Sequence, residues 1–98
     1  MSEDSVRRVV IRGYVQGVGF RAFVEHAALK RGIEGWVRNR RDGSVEAVFA
    51  GPAATVAALI EACRHGPGRV DAIDELPAGS DDVEQRHPGE LFSMLRTV

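Results

Sequence analysis

Apolar positions along this chain follow two rhythms, one helical and one extended. Residues 6–14 set Val6, Val9, Val10 and Ile11 among arginines. β-Branched residues on both faces predict an interior strand there. Between Phe20 and Arg31, the residues Phe20, Phe23, Val24, Ala27 and Ala28 recur at helical spacing, and Gly32 stands where a helix stops. Residues 34–40, around Trp36, Val37, Arg38 and Asn39, predict a second strand. Ser44 to Ala50, with Val45, Ala47 and Phe49 alternating, predicts a third. Asp42-Gly43 between them is a tight-turn signal, so 34–50 reads as a hairpin. Pro52, in the first helical position, opens a second helix with Val56, Leu59, Ile60 and Cys63 on one face, ended by Gly66-Pro67-Gly68. Val70, Ile73 and Leu76 mark a strand over 69–77. Residues 78–90 are polar, carry Gly79, Pro88 and Gly89, and predict a loop. Leu91 to Arg96 closes the chain as a strand with Phe92 and Met94 on one face.

The order is β-α-β-β-α-β. It predicts an α+β, ferredoxin-like sandwich, with two helices packed on one face of a mostly antiparallel sheet of four to five strands. Residues 1–5 are polar and predict a disordered tail, leaving 6–98 as one domain. A chain of 98 residues with 44% hydrophobic content builds a core without staples. Cys63 is the single cysteine, which rules out an intramolecular disulfide and a thiolate zinc site. His26, His65 and His87 have no ligand spacing, so no metal and no cofactor are expected. The start Met-Ser-Glu-Asp-Ser is no secretory signal, and no apolar run approaches the roughly 20 residues of a membrane span. A soluble, cytoplasmic protein is the expectation. A net charge of −1 argues against a nucleic-acid partner. A monomer is expected, although a sheet edge would permit a dimer. Arg38, Arg40 and Arg41 read as a solvated basic run at the hairpin.

Candidate chemistry concentrates in Gly13-Tyr14-Val15-Gln16-Gly17-Val18-Gly19-Phe20-Arg21. The segment runs from a strand, through glycines, into a helix N-terminus. Glycines let successive amide N–H groups converge on one point, and the helix end adds unpaired N–H groups and partial positive charge. That combination suits a phosphate. From the first helical turn, the Arg21 guanidinium can fork onto two phosphate oxygens. Gln16 is expected to bond backbone and hold the loop.

Three known loops share part of this pattern. A Walker A loop needs a Gly-Lys pair, and no lysine is present here. Gly17 to Ala22 fits the dinucleotide fingerprint letter for letter, yet 98 residues cannot supply two mononucleotide halves. Gly17 to Val24 echoes an RNA-binding signature, but that signature belongs in a strand, and this run opens a helix.

The same residues resemble the acylphosphatase family. Gly13 to Arg21 matches every fixed position of its first signature. Gly35-Trp36-Val37-Arg38-Asn39, with Gly43, Val45 and Gly51, matches the second. Gly66-Pro67 and the Phe92-x-Met94 ending are also similar, and the likeness covers roughly residues 7–97. The resemblance implies hydrolysis of the carboxyl–phosphate bond of a small acyl phosphate. It implies that Arg21 binds the substrate phosphate, that Asn39 positions the attacking water, and that the backbone amides of Val15, Gln16, Gly17, Val18, Gly19 and Phe20 cradle the phosphate oxygens. A carboxylate with a parent pKa of about 4 to 5 leaves without a general acid, in keeping with a site that shows no proton donor. Two rival readings stand beside it. One is a non-catalytic phosphate- or RNA-binding module on the same fold. The other is a carbamoyl-phosphate-handling domain like that at the start of the large hydrogenase-maturation carbamoyltransferases.

Overall fold

The computed structural model describes residues 4–98. Residues 1–3 of the expected tail lie outside the described residues. The elements are β1 (Asp4–Tyr14), α1 (Phe20–Lys30), β2 (Glu34–Asn39), β3 (Val45–Pro52), α2 (Ala53–Cys63), β4 (Arg69–Leu76), α3 (Ser80–Val83) and β5 (Phe92–Met94). They form a five-stranded sheet in the order β4-β1-β3-β2-β5. All pairings are antiparallel except β2 with β5, which is parallel. This is the ferredoxin-like α+β arrangement with β1 in the sheet interior.

Alternation along the strands divides the side chains between two faces. On the front face, Val9, Ile11, Val37, Val45, Ala47 and Phe49 pack against the apolar stripes of α1 and α2. Phe20, Val24, Ala27 and Ala28 come from the first helix, and Val56, Leu59, Ile60 and Cys63 from the second. Gly32 takes a φ of 67° just beyond α1, the left-handed conformation that ends a helix at little cost for glycine.

The back face departs from expectation. Every residue from Val45 to Ala50 is buried, so β3 is not an alternating half-exposed strand. A second apolar cluster of Trp36, Val48, Ala50 and Val83 covers that face. Its cover comes from the 78–90 segment, which is not all loop. Ser80–Val83 forms a single helical turn, with the Gly79 amide donating to Asp82 Oδ2 at 2.9 Å. The Trp36 indole donates to the Asp82 carbonyl at 2.6 Å and ties this turn to the sheet. Arg38 is likewise not a solvated residue of a basic run. Its Nε donates to Glu46 Oε1 at 2.8 Å, and its guanidinium lies 4.6 Å from the Trp36 ring centre. Two boundaries also shift. β1 begins at Asp4, inside the stretch read as a tail, and Pro52 ends β3 as the residue before α2 and not as its first helical residue. Among the described residues, no helix is long and apolar enough to cross a membrane.

Candidate active site

The β1–α1 connection is built for close approach of an anion. Gly17 and Gly19 have φ angles of 75° and 81°, and open space surrounds the position a Cβ would take at each. Gly19 precedes α1 and offers no capping side chain, and the first turn of α1 holds no acidic residue. No acidic or capping side chain of the first turn therefore offsets the positive end of this helix. The amides of residues 15–22 donate to no acceptor among the described residues, while the Gly19 carbonyl already accepts from the Phe23 amide at 3.1 Å. A loop of unspent donors at a helix start is an anion cradle.

The loop forms one wall of a cavity of about 190 Å³, lined by Val15, Gln16, Gly17, Gly19, Phe20, Arg21, Ala22, Asn39 and Met94. Val15 and Phe20 are themselves buried, rooted in the core, and so fix the loop from below. Arg21 makes no ion pair among the described residues; Arg31, Arg40, Arg41 and Arg96 also make none, but of these five only Arg21 lines the cavity. A guanidinium left without a carboxylate beside unspent amides is available to a ligand's oxygens.

Asn39 reaches the same cavity from the end of β2. Its Oδ1 is buried and has no hydrogen-bond partner among the described residues. An unpaired buried acceptor costs about 1–3 kcal/mol, a cost removed when a donor such as water arrives. Its backbone is held on two sides. It pairs with Val45 in the hairpin, and its carbonyl accepts from the Val98 amide at 3.1 Å.

The hairpin turn next to Asn39 is closed by its own bonds. The Ser44 hydroxyl and amide donate to Asp42 Oδ1 at 2.6 and 3.0 Å. Those bonds, with the charges of Arg40 and Arg12 behind them, hold the Asp42 carboxyl below the usual carboxylate range. The Gln16 side chain fastens the loop to this turn, its Nε2 donating to the carbonyls of Arg40 and Ser44 at 2.7 and 2.8 Å.

Structure thus brings Arg21, Asn39 and most of the expected loop to one cavity. Val18 does not line it and packs against the front core instead. Met94 and Ala22 line it without having been singled out. Met94 stands opposite Val37 in the parallel β2–β5 pairing, two residues from Asn39 along β2. The Phe92-x-Met94 alternation put both residues on one face, but only the pairing shows which strand Met94 lies beside. Cys63 is buried in the core as expected, and His26 and His65 are exposed. His87 is exposed and pairs with Glu90. Among the described residues, no three His, Cys, Asp or Glu side chains gather as a metal site would need.

Fold and cavity together define a small α+β domain with a cavity where its first strand leads into its first helix. Comparison with known proteins narrows this. The acylphosphatase family model matches residues 7–94. An acylphosphatase of Rhodopseudomonas palustris (strain BisB18) is 59% identical over 95 residues, covering 95% of this chain and 96% of the relative. Among solved structures, acylphosphatase from Bacillus subtilis superposes with a TM-score of 0.78 at 36% identity, covering 92% of this chain and 97% of that one. Full-length HypF, in a phosphate- and nucleotide-bound form, gives a TM-score of 0.81 at 25% identity, covering 99% of this chain but 12% of that one. The chain belongs to the acylphosphatase family.

Proposed function

We propose that the chain hydrolyses small acyl phosphates in the cavity between the β1–α1 loop and Asn39. The observation that carries this reading is the convergence there, among the described residues, of unspent loop amides, an arginine without an acidic partner, and an unpaired buried Asn39 Oδ1. The amides of Val15 to Phe20 and the Arg21 guanidinium take the three non-bridging phosphoryl oxygens and balance their charge. Asn39 Oδ1 accepts a hydrogen from the attacking water and turns its oxygen toward phosphorus. The new O–P bond forms as the bond from phosphorus to the carboxyl oxygen breaks. The electron pair leaves with the carboxylate, and the water's proton passes to a phosphoryl oxygen. The products are a carboxylate and inorganic phosphate. Asn39 is no base, because an amide does not titrate near neutrality.

No step in this sequence is assigned to a metal or cofactor. The domain is taken to span residues 6–98, with Asp4 and Ser5 extending its first strand. A monomer acting in the cytoplasm without nucleic acid is the matching cellular reading, supported by the near-neutral charge and the single, buried cysteine. The resemblance to the domain that begins the hydrogenase-maturation carbamoyltransferases leaves a second substrate reading, in which the same cavity takes carbamoyl phosphate.

Hydrolysis of benzoyl, acetyl and carbamoyl phosphate, each with chelator present, tests both readings. Chelator-resistant release of phosphate from benzoyl phosphate is expected. Turnover confined to carbamoyl phosphate would select the second reading. Folded protein that hydrolyses none of the three would overturn both.

A further inference from the structure

The Gln16 side chain does more than hold its own loop. Its Nε2 donates to the Arg40 carbonyl at 2.7 Å and to the Ser44 carbonyl at 2.8 Å. Two carbonyls on one nitrogen settle the orientation of the amide, since only its NH2 end has two hydrogens to give. Both acceptors already have a donor within the hairpin. The Gly43 amide donates to the Arg40 carbonyl at 3.1 Å, and the Arg40 amide to the Ser44 carbonyl at 2.9 Å. A carbonyl oxygen has two lone pairs, so removing Gln16 would leave neither oxygen orphaned and would leave the hairpin closed. What would be lost is the link between two halves of the cavity. Gln16 lies in the loop whose amides face the phosphate position. The Arg40 amide shares a planar peptide with the Asn39 carbonyl and donates to the same Ser44 carbonyl that Gln16 holds, so fixing that carbonyl limits how far Asn39 can shift.

We propose that Gln16 is a positioning residue for the reaction, a clamp that sets the distance between the phosphoryl-holding loop and the water-holding Asn39. This rests on the roles given above to the loop and to Asn39. Its consequence is a loss in turnover much larger than the loss in stability or in phosphate binding. A clamp of this kind acts on the approach of water to phosphorus, which is where small misplacements are felt most.

The test compares Gln16→Met, which keeps length and loses both donors, with Gln16→Glu, which can only accept, and Gln16→Lys, whose ammonium restores donation. For Gln16→Met, kcat on benzoyl phosphate should fall about 10- to 100-fold, as for a site misplaced by up to an ångström. Inhibition by inorganic phosphate and the unfolding midpoint should stay close to wild type. Gln16→Lys should regain most of the lost kcat, and Gln16→Glu should not. If Gln16→Met fails to fold, Gln16→Asn replaces it, one methylene too short to reach both carbonyls, with the same expectation. The set includes Asn39→Ala alone and combined with Gln16→Met. If the clamp works through Asn39, the second substitution adds little in the Asn39→Ala background. A fully multiplicative loss there, an unchanged kcat in Gln16→Met, or a loss confined to phosphate affinity would each overturn the clamp. Near-full activity of Asn39→Ala alone would instead overturn the role given to Asn39, which keeps the two failures apart.

Discussion

Arg38 and Glu46 stand directly opposite each other in adjacent strands, and the Arg38 Nε donates to Glu46 Oε1 at 2.8 Å. Glu46 is 1% exposed, and its other oxygen accepts from Arg8 Nε at 2.6 Å. One carboxylate therefore joins β1, β2 and β3 on the face turned away from α1 and α2. Because side chains alternate along a strand, pinning Arg38 to the back face directs its neighbour Asn39 to the front, into the cavity. Removing the carboxylate leaves two arginines beside a buried gap. Glu46→Ala should lower stability by about 3 kcal/mol, the low end for a broken buried pair, because both arginine heads retain some solvent. Urea denaturation reads this directly. A loss under about 1 kcal/mol would place the pair among the weak surface bridges.

Arg21→Gln and Asn39→Ala should separate charge balance from water positioning. Losing the guanidinium should cost about 10³-fold in kcat/KM, as for other removed charge-stabilising donors, and should weaken inhibition by phosphate. Asn39→Ala should cost a similar factor, seated in kcat, with phosphate inhibition retained. It should also leave stability unchanged or slightly raised, because it deletes an unpaired buried acceptor. Steady-state kinetics with phosphate as inhibitor, beside thermal melts, distinguishes the two. Asn39→Ala with full turnover would mean that water is held by other groups.

Much of this site was legible in sequence because its parts are local. The loop from Gly13 to Arg21 carries its own conformation: the glycines adopt positive φ, and the stripe from Phe20 to Ala28 fixes where the helix begins. What escaped depends on residues far apart in the chain. Glu46 sits among apolar neighbours, where alternation predicts an exposed side chain. Its burial follows from Arg8 and Arg38 reaching it from two other strands. The turn Ser80–Val83 has four residues and so no helical period to detect, although Asp82, three residues beyond Gly79, is a capping signal. Met94 reached the cavity through a parallel pairing that no turn signal announces. Gln16 was expected to bond backbone, but that the backbone belongs to the hairpin beside Asn39 required the fold.

Two glycines should respond oppositely to alanine. At Gly35, φ is 142° and an added Cβ would run into the Val48 carbonyl oxygen of the paired strand. Gly35→Ala should cost about 3 kcal/mol or more from combined strain and overlap, and with it the folded state at modest temperature. At Gly17, nothing lies near the new Cβ, so Gly17→Ala should cost only the 1–2 kcal/mol or so of a left-handed backbone. Its activity, however, should drop about 100-fold in kcat/KM, as for a lost oxyanion donor, because Gly17 lines the cavity and the new methyl stands in the open space a phosphoryl group would approach. Melting temperature, and benzoyl phosphate turnover measured at a temperature low enough that both remain folded, should rank the two variants in opposite orders. Equal ranks would show that Gly17 serves the turn alone.

Cys63 gives the fold an alkaline limit. Its thiol is buried in the front core, and burial pushes its pKa up to about 12, only partly opposed by the charge of Arg31. In the unfolded chain the same thiol ionises near 8.5, by the usual value. Between roughly pH 8.5 and 12, then, the unfolded state has released a proton that the folded state keeps. The unfolded state binds fewer protons in that window, so stability falls as pH rises through it and is unaffected below it. Cys63→Ala lacks this contribution while keeping every other titrating group. Denaturation midpoints at pH 7 and pH 10 should fall further in the wild type than in Cys63→Ala, each relative to its own value at pH 7. Consistent with this, a thiol reagent at pH 8 should label the protein only after denaturant is added. Equal alkaline losses in the two proteins, or rapid labelling of the native state, would show that the thiol ionises within the fold.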